Sequence, residues 1–238
     1  MAKIKLAKTV DDLILLKNVI VSCTIKDGLV SNKRSDGSAI EGVPECGLLG
    51  FIAEKNPGAL FISTGGTFKL VSQAGLNVIE MSAYTGYPEM ETGLVKSLHP
   101  KIHAGILGHR YTEEDAAFMH AHEIASIDAV IANFYPLNTV MQEADVAFET
   151  VRQAIDVGGP TMSHSARKAF ISTALVTDPG DYHWLVDELE KNAGAVSLKT
   201  RLELAKRASL LVTEFVLSVD QVVQNLQYAD LEEAYEIL

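Results

Sequence analysis

Short apolar, β-branched runs recur along the chain, and each ends in residues that favour turns. There are five of them: NVIVSCT (18–24), ALFISTGG (59–66), LNVIEMS (76–82), AVIANFYP (129–136) and ISTALVTD (171–178). Runs that are apolar at nearly every position are typical of strands covered on both faces. Helical patterns lie between most of them, among these FKLVSQAG (68–75), EEDAAFMHAHEI (113–124) and FETVRQAI (148–155). The alternation predicts an α/β fold in which helices cover both faces of a parallel sheet.

The pattern changes after Asp178. The segment DPGDYHWLVDELEKN (178–192) opens with an aspartate cap and a proline at the first helical position. The following segment, 197–226, repeats apolar residues with a period near 3.6 over about eight turns. We therefore predict a single domain with a sheet core over about 18–180 and a helical extension over about 181–238. The last residues, EEAYEIL (232–238), are predicted to form a short exposed helical end.

Two segments lie outside this alternation. SNKRSDGSAIEGVPECG (31–47) has the composition of a loop and exceeds the usual loop length, so it is either a surface excursion or an active-site lid. The first 18 residues carry an LILL run after two aspartates and no cleavable small-residue site, which predicts an amphipathic helix and not a signal peptide.

The charge of the chain narrows the classes of partner. The formal net charge is −11, and a field of that sign repels nucleic acids and acidic membranes, so neither is expected as a partner. The two cysteines form no disulfide framework or metal motif, and no apolar run is long enough to cross a bilayer. We expect a cytoplasmic protein. Any site for a small anion must be local, at glycine turns beside lysines.

Two segments at predicted strand ends fit such an anion site. SCTIKDG (22–28) offers Ser22, Thr24 and Lys26, and STGGT (63–67) passes from a strand directly into a helix. Successive amides in a glycine turn at a helix N-terminus bind anions, although a plain tight turn is the alternative. Lys26, which we expect to project from the end of the neighbouring strand, favours the phosphate site over the plain turn.

A third segment, AIDVGGPTMSHSARK (154–168), places Asp156 before two glycines and a helical run. Asp156 either caps that helix, or the amides that follow it face a developing negative charge as in an oxyanion hole. The spacing favours the cap. Lys168 lies farther along the helical run, and we expect it to fold back near Asp156.

The segment LVKSLHPKIHAG (94–105) contains His99 and His103 at a metal-ligand spacing, with Lys96 beside them. Pro100 interrupts a regular helix through both histidines, and no third ligand is nearby, whereas a catalytic zinc site needs three protein ligands. We therefore predict that this chain has no metal site and that the two histidines have packing or turn-stabilising roles.

Taken together, six motifs resemble the IMP cyclohydrolase domain of bifunctional purine biosynthesis enzymes, over about residues 18–215. The motifs are STGGT (63–67), YTGYPEM (84–90), VKSLHPKIHAGIL (95–107), NFYPL (133–137), IDVGGP (155–160) and DPGDY (178–182). The resemblance implies a methylglyoxal synthase-like sandwich. It also implies closure of the purine ring, from 5-formamidoimidazole-4-carboxamide ribotide to IMP plus water, with no cofactor.

Matching motifs assign the site residues that the resemblance implies. The proposed catalytic set is Lys96, Tyr135, Asp156 and Lys168. Lys96 would stabilise the formyl oxygen, and the other three would transfer protons. The proposed contacts to substrate and phosphate are Ser22, Thr24, Lys26, Thr64, Gly66, Thr67, Ser97, Gly158 and Gly159.

This sequence departs from the pattern that it resembles. Asp27 stands where a phosphate-contacting threonine is usual, Leu94 replaces an arginine, and residues 31–47 are an insertion. Two rivals share the fold: a methylglyoxal synthase-type phosphate lyase and a nucleotide-sensing regulatory module. The chain has no room for the transformylase half, so a separate formyltransferase is one expected source of substrate. Spare apolar helix faces favour a homodimer.

Overall fold

The computed structural model describes residues 8–91, 93–108, 110–134, 137 and 147–238. Its strands are β1 (Leu13–Leu15), β2 (Asn18–Cys23), β3 (Leu60–Ser63), β4 (Val78–Glu80), β5 (Ala129–Asn133), β6 (Ala174–Val176) and β7 (Ala195–Ser197). Five of them form a parallel sheet in the order β4-β3-β2-β5-β6. Each of the five predicted apolar runs contains one strand of this sheet, so the predicted parallel sheet is confirmed.

Helices follow most strands. They are α1 (Gly47–Lys55), α2 (Gly65–Gln73), α3 (Met81–Thr85), α4 (Pro100–Leu107), α5 (Glu113–Ala121), α6 (Phe148–Gln153), α7 (Gly158–Lys168), α8 (Tyr182–Lys191), α9 (Leu198–Asn225) and α10 (Tyr228–Ala234). The helices predicted between the strands and the long helix predicted at 197–226 are confirmed. Helix α10 ends at Ala234, so the prediction of a helical end at 232–238 is wrong for its last residues. Within the described ranges, no helix has the length and apolar character needed to span a membrane.

The sheet is covered on both faces, which makes the predicted three-layer sandwich. On β2, Val19 and Val21 face a cluster that includes Leu48 of α1 and Leu185 of α8. Ile20 faces the opposite cluster, which includes residues of α3, α4, α7 and α9. Successive side chains of a strand point to opposite faces, so one run of β-branched residues supplies both cores.

The described part of the N-terminal segment contains a strand, Leu13–Leu15, and not the amphipathic helix that we predict from its sequence; residues 1–7 lie outside the described residues. Leu13 and Leu15 are exposed and Ile14 is buried, which is the two-residue period of a strand with one covered face. β1 pairs antiparallel with β7, outside the main sheet. A pairing partner more than 180 residues away decides this structure, and a local pattern contains no information about it.

Arg201 in the first turns of α9 fixes this small sheet to the rest of the fold. Its side chain is fully buried. Its guanidinium donates to five backbone carbonyl oxygens, those of Asp11, Asp12, Phe170, Ile171 and Val196, at 2.6–3.1 Å. Burial lowers the pKa of Arg201, and the planar fork of donors satisfies carbonyls that would otherwise be buried without partners.

Residues 31–46 contain no helix and no strand beyond one isolated bridge, as predicted for a loop. Ile40 and Val43 are buried in the core, and Gly42 lies directly against His183 of α8. The backbone N–H of Ser35 donates to a carboxylate oxygen of Asp27 at 3.0 Å. The loop is therefore packed on α8, and Asp27 is engaged with the loop.

Candidate active site

The carboxyl ends of the central strands open into a cavity of about 350 Å³. The strand order runs outward from β2 in both directions, and open α/β sheets bind ligands at such a switch point. Eight of the predicted site residues line this cavity: Ser22, Thr24, Thr64, Lys96, Ser97, Asp156, Gly158 and Gly159. The fold thus brings together residues from four separate stretches of the sequence.

One end of the cavity is the N-terminus of α2. Gly65 has φ of +57°, a left-handed conformation that glycine adopts without strain. The amides of the first helical turn have no carbonyl partner within the helix, so this end favours anions. Two ammonium groups approach it. A β-carbon placed at Gly66 would lie 3.9 Å from Lys26 Nζ, and one at Gly65 would lie 3.9 Å from Lys96 Nζ.

Thr67 is predicted to contact phosphate, but its side chain has a structural partner. Thr67 is buried, and its hydroxyl donates to the carbonyl oxygen of Cys23 at 2.9 Å. This bond ties α2 to the end of β2 and thereby fixes the glycine turn beside Lys26. The hydroxyl proton of Thr67 is thus already used. Its predicted contact with phosphate stays a prediction, and the backbone amide is the donor that is left for it.

Lys96 is held from two sides. Its ammonium forms an ion pair with Glu89 at 3.0 Å, and both side chains are about one-quarter exposed (24%). A β-carbon at Gly93 would lie 2.9 Å from Lys96 Cε, so only glycine leaves room for the lysine in this conformation. Val95, next to the lysine, has φ of +70°, an unfavourable conformation for a β-branched residue. The loop thus keeps Lys96 in place at the expense of local strain.

Asp156 precedes α7 and is the acidic group of the cavity. The N–H of Gly159 donates to its carboxylate at 3.3 Å, which agrees with the cap that the spacing favours. Burial raises the pKa of Asp156, and bonds from the amides of Gly159, Gly158 and Val157 only partly oppose the increase. These amides face Asp156 itself, and an oxyanion hole made from them stays a prediction.

One of the four proposed catalytic residues, Lys168, does not come together with Asp156. Lys168 is exposed at the end of α7 and does not line the cavity. Lys168 follows Gly158 by ten positions in the helix, each with a rise of about 1.5 Å, so the two lie about 15 Å apart. The prediction that Lys168 folds back near Asp156 is therefore wrong within one chain, because the helix is continuous. Tyr135 lies outside the described residues.

The two histidines of the lysine segment have structural partners. His99 is the N-cap of α4, and its Nδ1 accepts from the N–H of Lys101 at 3.1 Å. His103 Nδ1 lies 3.0 Å from the hydroxyl of Ser165 on α7, and burial lowers the pKa of His103. The helix begins at Pro100, so the two side chains serve different contacts, as their predicted packing roles require.

Sequence reasoning missed Glu89 and Gly93. Glu89 lies in YTGYPEMETG, which has the composition of a covering loop, but nothing local indicates that its carboxylate reaches Lys96. Leu94 is 61% exposed and forms an apolar part of the cavity wall.

Residues 53–161 match the family of the MGS-like domain. The match covers a little under half of the chain. The matched range includes β3, the glycine turn, Lys96 and the start of α7, so the region that is similar to an MGS-like domain contributes most of the cavity. The five-stranded parallel sheet between helices is the architecture that the sequence resemblance implies.

Curated relatives extend this similarity. The chain is 48% identical over 151 residues to the bifunctional purine biosynthesis protein PurH of Neisseria meningitidis serogroup A. The aligned region covers 63% of this chain and 28% of the relative. PurH of Neisseria gonorrhoeae strain FA 1090 is also 48% identical over 151 residues. The chain is thus homologous to one region of PurH and spans less than a third of the length of these relatives.

A solved structure is similar over most of the chain. The crystal structure of ForH superposes with a TM-score of 0.69 and 28% sequence identity, over 87% of this chain and 98% of that chain.

Proposed function

We propose that this chain is an IMP cyclohydrolase, which closes the purine ring of 5-formamidoimidazole-4-carboxamide ribotide and releases water. The observation that carries the proposal is the convergence of Lys26 and Lys96 on Gly65 and Gly66, with Asp156 in the same cavity as Lys96. The two ammonium groups and the free amides of α2 suit a phosphate ester, and the carboxyl suits proton transfer.

The chemistry requires three things of the protein. The carboxamide nitrogen attacks the formyl carbon and loses one proton, the formamido nitrogen loses a second as the C=N bond forms, and the formyl oxygen takes up two protons and leaves as water. Binding of the phosphate would hold the flexible substrate in an attacking geometry. Lys96 would stabilise the negative charge that develops on the formyl oxygen. Burial raises the pKa of Asp156 and so brings this pKa closer to the operating pH than that of a free aspartate. A pKa near the operating pH favours proton transfer.

Homology to a region of PurH supports an enzyme of purine biosynthesis. The ring-closing step is the finer proposal. It uses Lys96 and Asp156, while the proposed roles of Tyr135 and Lys168 do not carry it. We further propose that the reaction uses no cofactor and that a formyltransferase supplies the substrate.

Purified protein supplied with the formamido ribotide should produce the ultraviolet absorbance change of ring closure. Lys96→Met and Asp156→Asn should each lower turnover at least about a hundredfold. Lys69→Met is the matched control, because Lys69 is an exposed lysine on α2 and does not line the cavity. Near-normal turnover by the Lys96 variant would contradict the proposal.

Two further measurements on the same protein separate the two rivals. Tight IMP binding without turnover would indicate a nucleotide-sensing module, and release of phosphate from dihydroxyacetone phosphate would indicate a synthase of the methylglyoxal type. Either result would replace the cyclohydrolase proposal.

A further inference from the structure

Glu89 makes two contacts at once inside the candidate active site. Its Oε2 lies 3.0 Å from Lys96 Nζ, and its Oε1 accepts a hydrogen bond from the Thr64 hydroxyl at 3.3 Å. Each carboxylate oxygen therefore holds a different donor. Both donors are candidate ligand contacts and line the same cavity.

These two donors are the ones that an anionic ligand oxygen would need. Thr64 is the N-cap of α2, but its hydroxyl makes no capping bond to the helix. The hydroxyl is instead directed to Glu89. The ammonium of Lys96 likewise has Glu89 as its ion-pair partner among the described residues. A ligand oxygen that accepts from the Thr64 hydroxyl must displace the Glu89 oxygen that is already there, and one that approaches Lys96 competes with the charge of Glu89 for the ammonium.

The carboxylate of Glu89 resembles part of such a ligand. It presents two negatively charged oxygens to one ammonium and one hydroxyl, as a phosphate or a developing oxyanion would. A neutral ligand group that replaced it on Lys96 would exchange a charge-assisted bond for a weaker one. The pair is only partly buried, so it is of moderate strength and can be displaced.

We propose that Glu89 is a built-in competing anion, a residue that sets the affinity and charge selectivity of the site by occupying Thr64 and Lys96 until an anionic ligand displaces it. The same carboxylate would return to Lys96 after turnover and so speed the release of product. The proposal rests on the proposed function only in taking a phosphate-bearing purine nucleotide as the ligand.

The test is a calorimetric titration of the full chain with two probes, IMP and inorganic phosphate. Glu89→Gln keeps the shape of the side chain and removes its charge. It should lower the Kd for IMP about tenfold, because the ligand no longer competes with a carboxylate for Lys96. Glu91→Gln is the matched control, since Glu91 is an exposed acid in the same loop, and its Kd should stay within about twofold of the wild type.

Several outcomes would overturn the proposal. An unchanged or higher Kd in Glu89→Gln would mean that Glu89 positions Lys96 or contacts the ligand and does not compete with it. Equal tightening in both variants would indicate a general field effect of removing a negative charge. Absence of binding of both probes to both the wild type and Glu89→Gln would remove the anion site itself. A thermal melt of each variant checks that the fold is retained.

Failure of the proposed function is distinguishable from failure of this inference. If the wild type does not close the ring but Glu89→Gln binds IMP more tightly, the competing anion stands and the cyclohydrolase proposal fails. If the wild type closes the ring and the variant binds no more tightly, the reverse holds. In an active enzyme, Glu89→Gln should also lower KM, and kcat should fall with it if product release limits turnover.

Discussion

The two glycines after Asp156 show what close packing at single residues requires in this site. A β-carbon at Gly158 would lie 2.4 Å from the Ser97 hydroxyl, and one at Gly159 would lie 2.6 Å from a carboxylate oxygen of Asp156. Only residues without a side chain let α7 start this close to both groups. The aspartate and the two glycines were predictable from IDVGGP as a cap and a turn, because that chemistry is local.

Other residue contacts were not predictable in this way. The bond between Glu89 and Lys96 depends on how the loop between α3 and α4 folds back on itself, and the separation of Lys168 from Asp156 depends on the length of α7. The spacing in the sequence predicts neither, because the distance in space between two residues depends on whether the chain between them forms a loop or a helix.

The burial of Asp156 lowers the stability of the fold, and this effect can be tested. Its pKa in the folded chain is raised by burial, so the folded state binds a proton more tightly than the unfolded state does. The ionised carboxylate therefore destabilises the fold above the folded-state pKa, and this cost vanishes as pH falls below the ordinary aspartate pKa. Asp156→Asn should raise the melting temperature by about 2 °C at pH 7 while it abolishes turnover.

The difference in melting temperature between Asp156→Asn and the wild type should shrink as the pH is lowered toward 4. Differential scanning fluorimetry across a pH series measures it. A variant that is less stable than the wild type at pH 7 would mean that bonds to the amides outweigh the burial of the charge.

At the scale of elements, the strands and helices of the sandwich followed from periodicity, and the exceptions share one cause. β2, β3 and β5 lie within apolar runs that are long enough to specify a buried strand alone. β1 and β7 have three residues each, too short for a periodic signal, and they exist because they pair with each other. The positions of β1 and β7 depend on this pairing and on Arg201, which donates to carbonyl oxygens in or next to both strands.

Arg201→Met should test how much this anchor contributes. The variant leaves five carbonyl oxygens without their donor, and we expect a loss of about 3 kcal/mol in the free energy of unfolding. For a chain of this size, that loss corresponds to roughly 6–12 °C in melting temperature.

Lys206→Met is the matched control for Arg201→Met, because Lys206 lies on the same helix and both side chains of its ion pair with Glu203 are exposed. We expect its melting temperature to stay within about 2 °C of the wild type, as for a surface ion pair. Equal losses in the two variants would contradict an anchoring role for Arg201.

At the scale of the whole molecule, the distribution of apolar surface bears on assembly. Helix α9 packs on α7 and β6 with one side, and its other side exposes Leu210 (68%) and Leu217 (55%). These two leucines are seven residues, or about two turns, apart and share a face. We therefore keep the homodimer as a proposal and assign this face of α9 as its candidate contact.

Light scattering coupled to gel filtration should report a dimer for the wild type and a monomer for Leu217→Glu. Phe118→Glu introduces the same charge at an exposed apolar position on α5 and should leave the dimer intact. A wild-type monomer at micromolar concentration would contradict the proposal.

The pairing of β1 with β7 also has a consequence for synthesis of the chain. β1 leaves the ribosome before its partner strand, which follows about 180 residues later. At ordinary elongation rates, the strand waits roughly 10 to 40 s before it can pair. During that interval Ile14, which is buried in the fold, and the open edge of the strand are available to chaperones or to another nascent chain until β7 emerges.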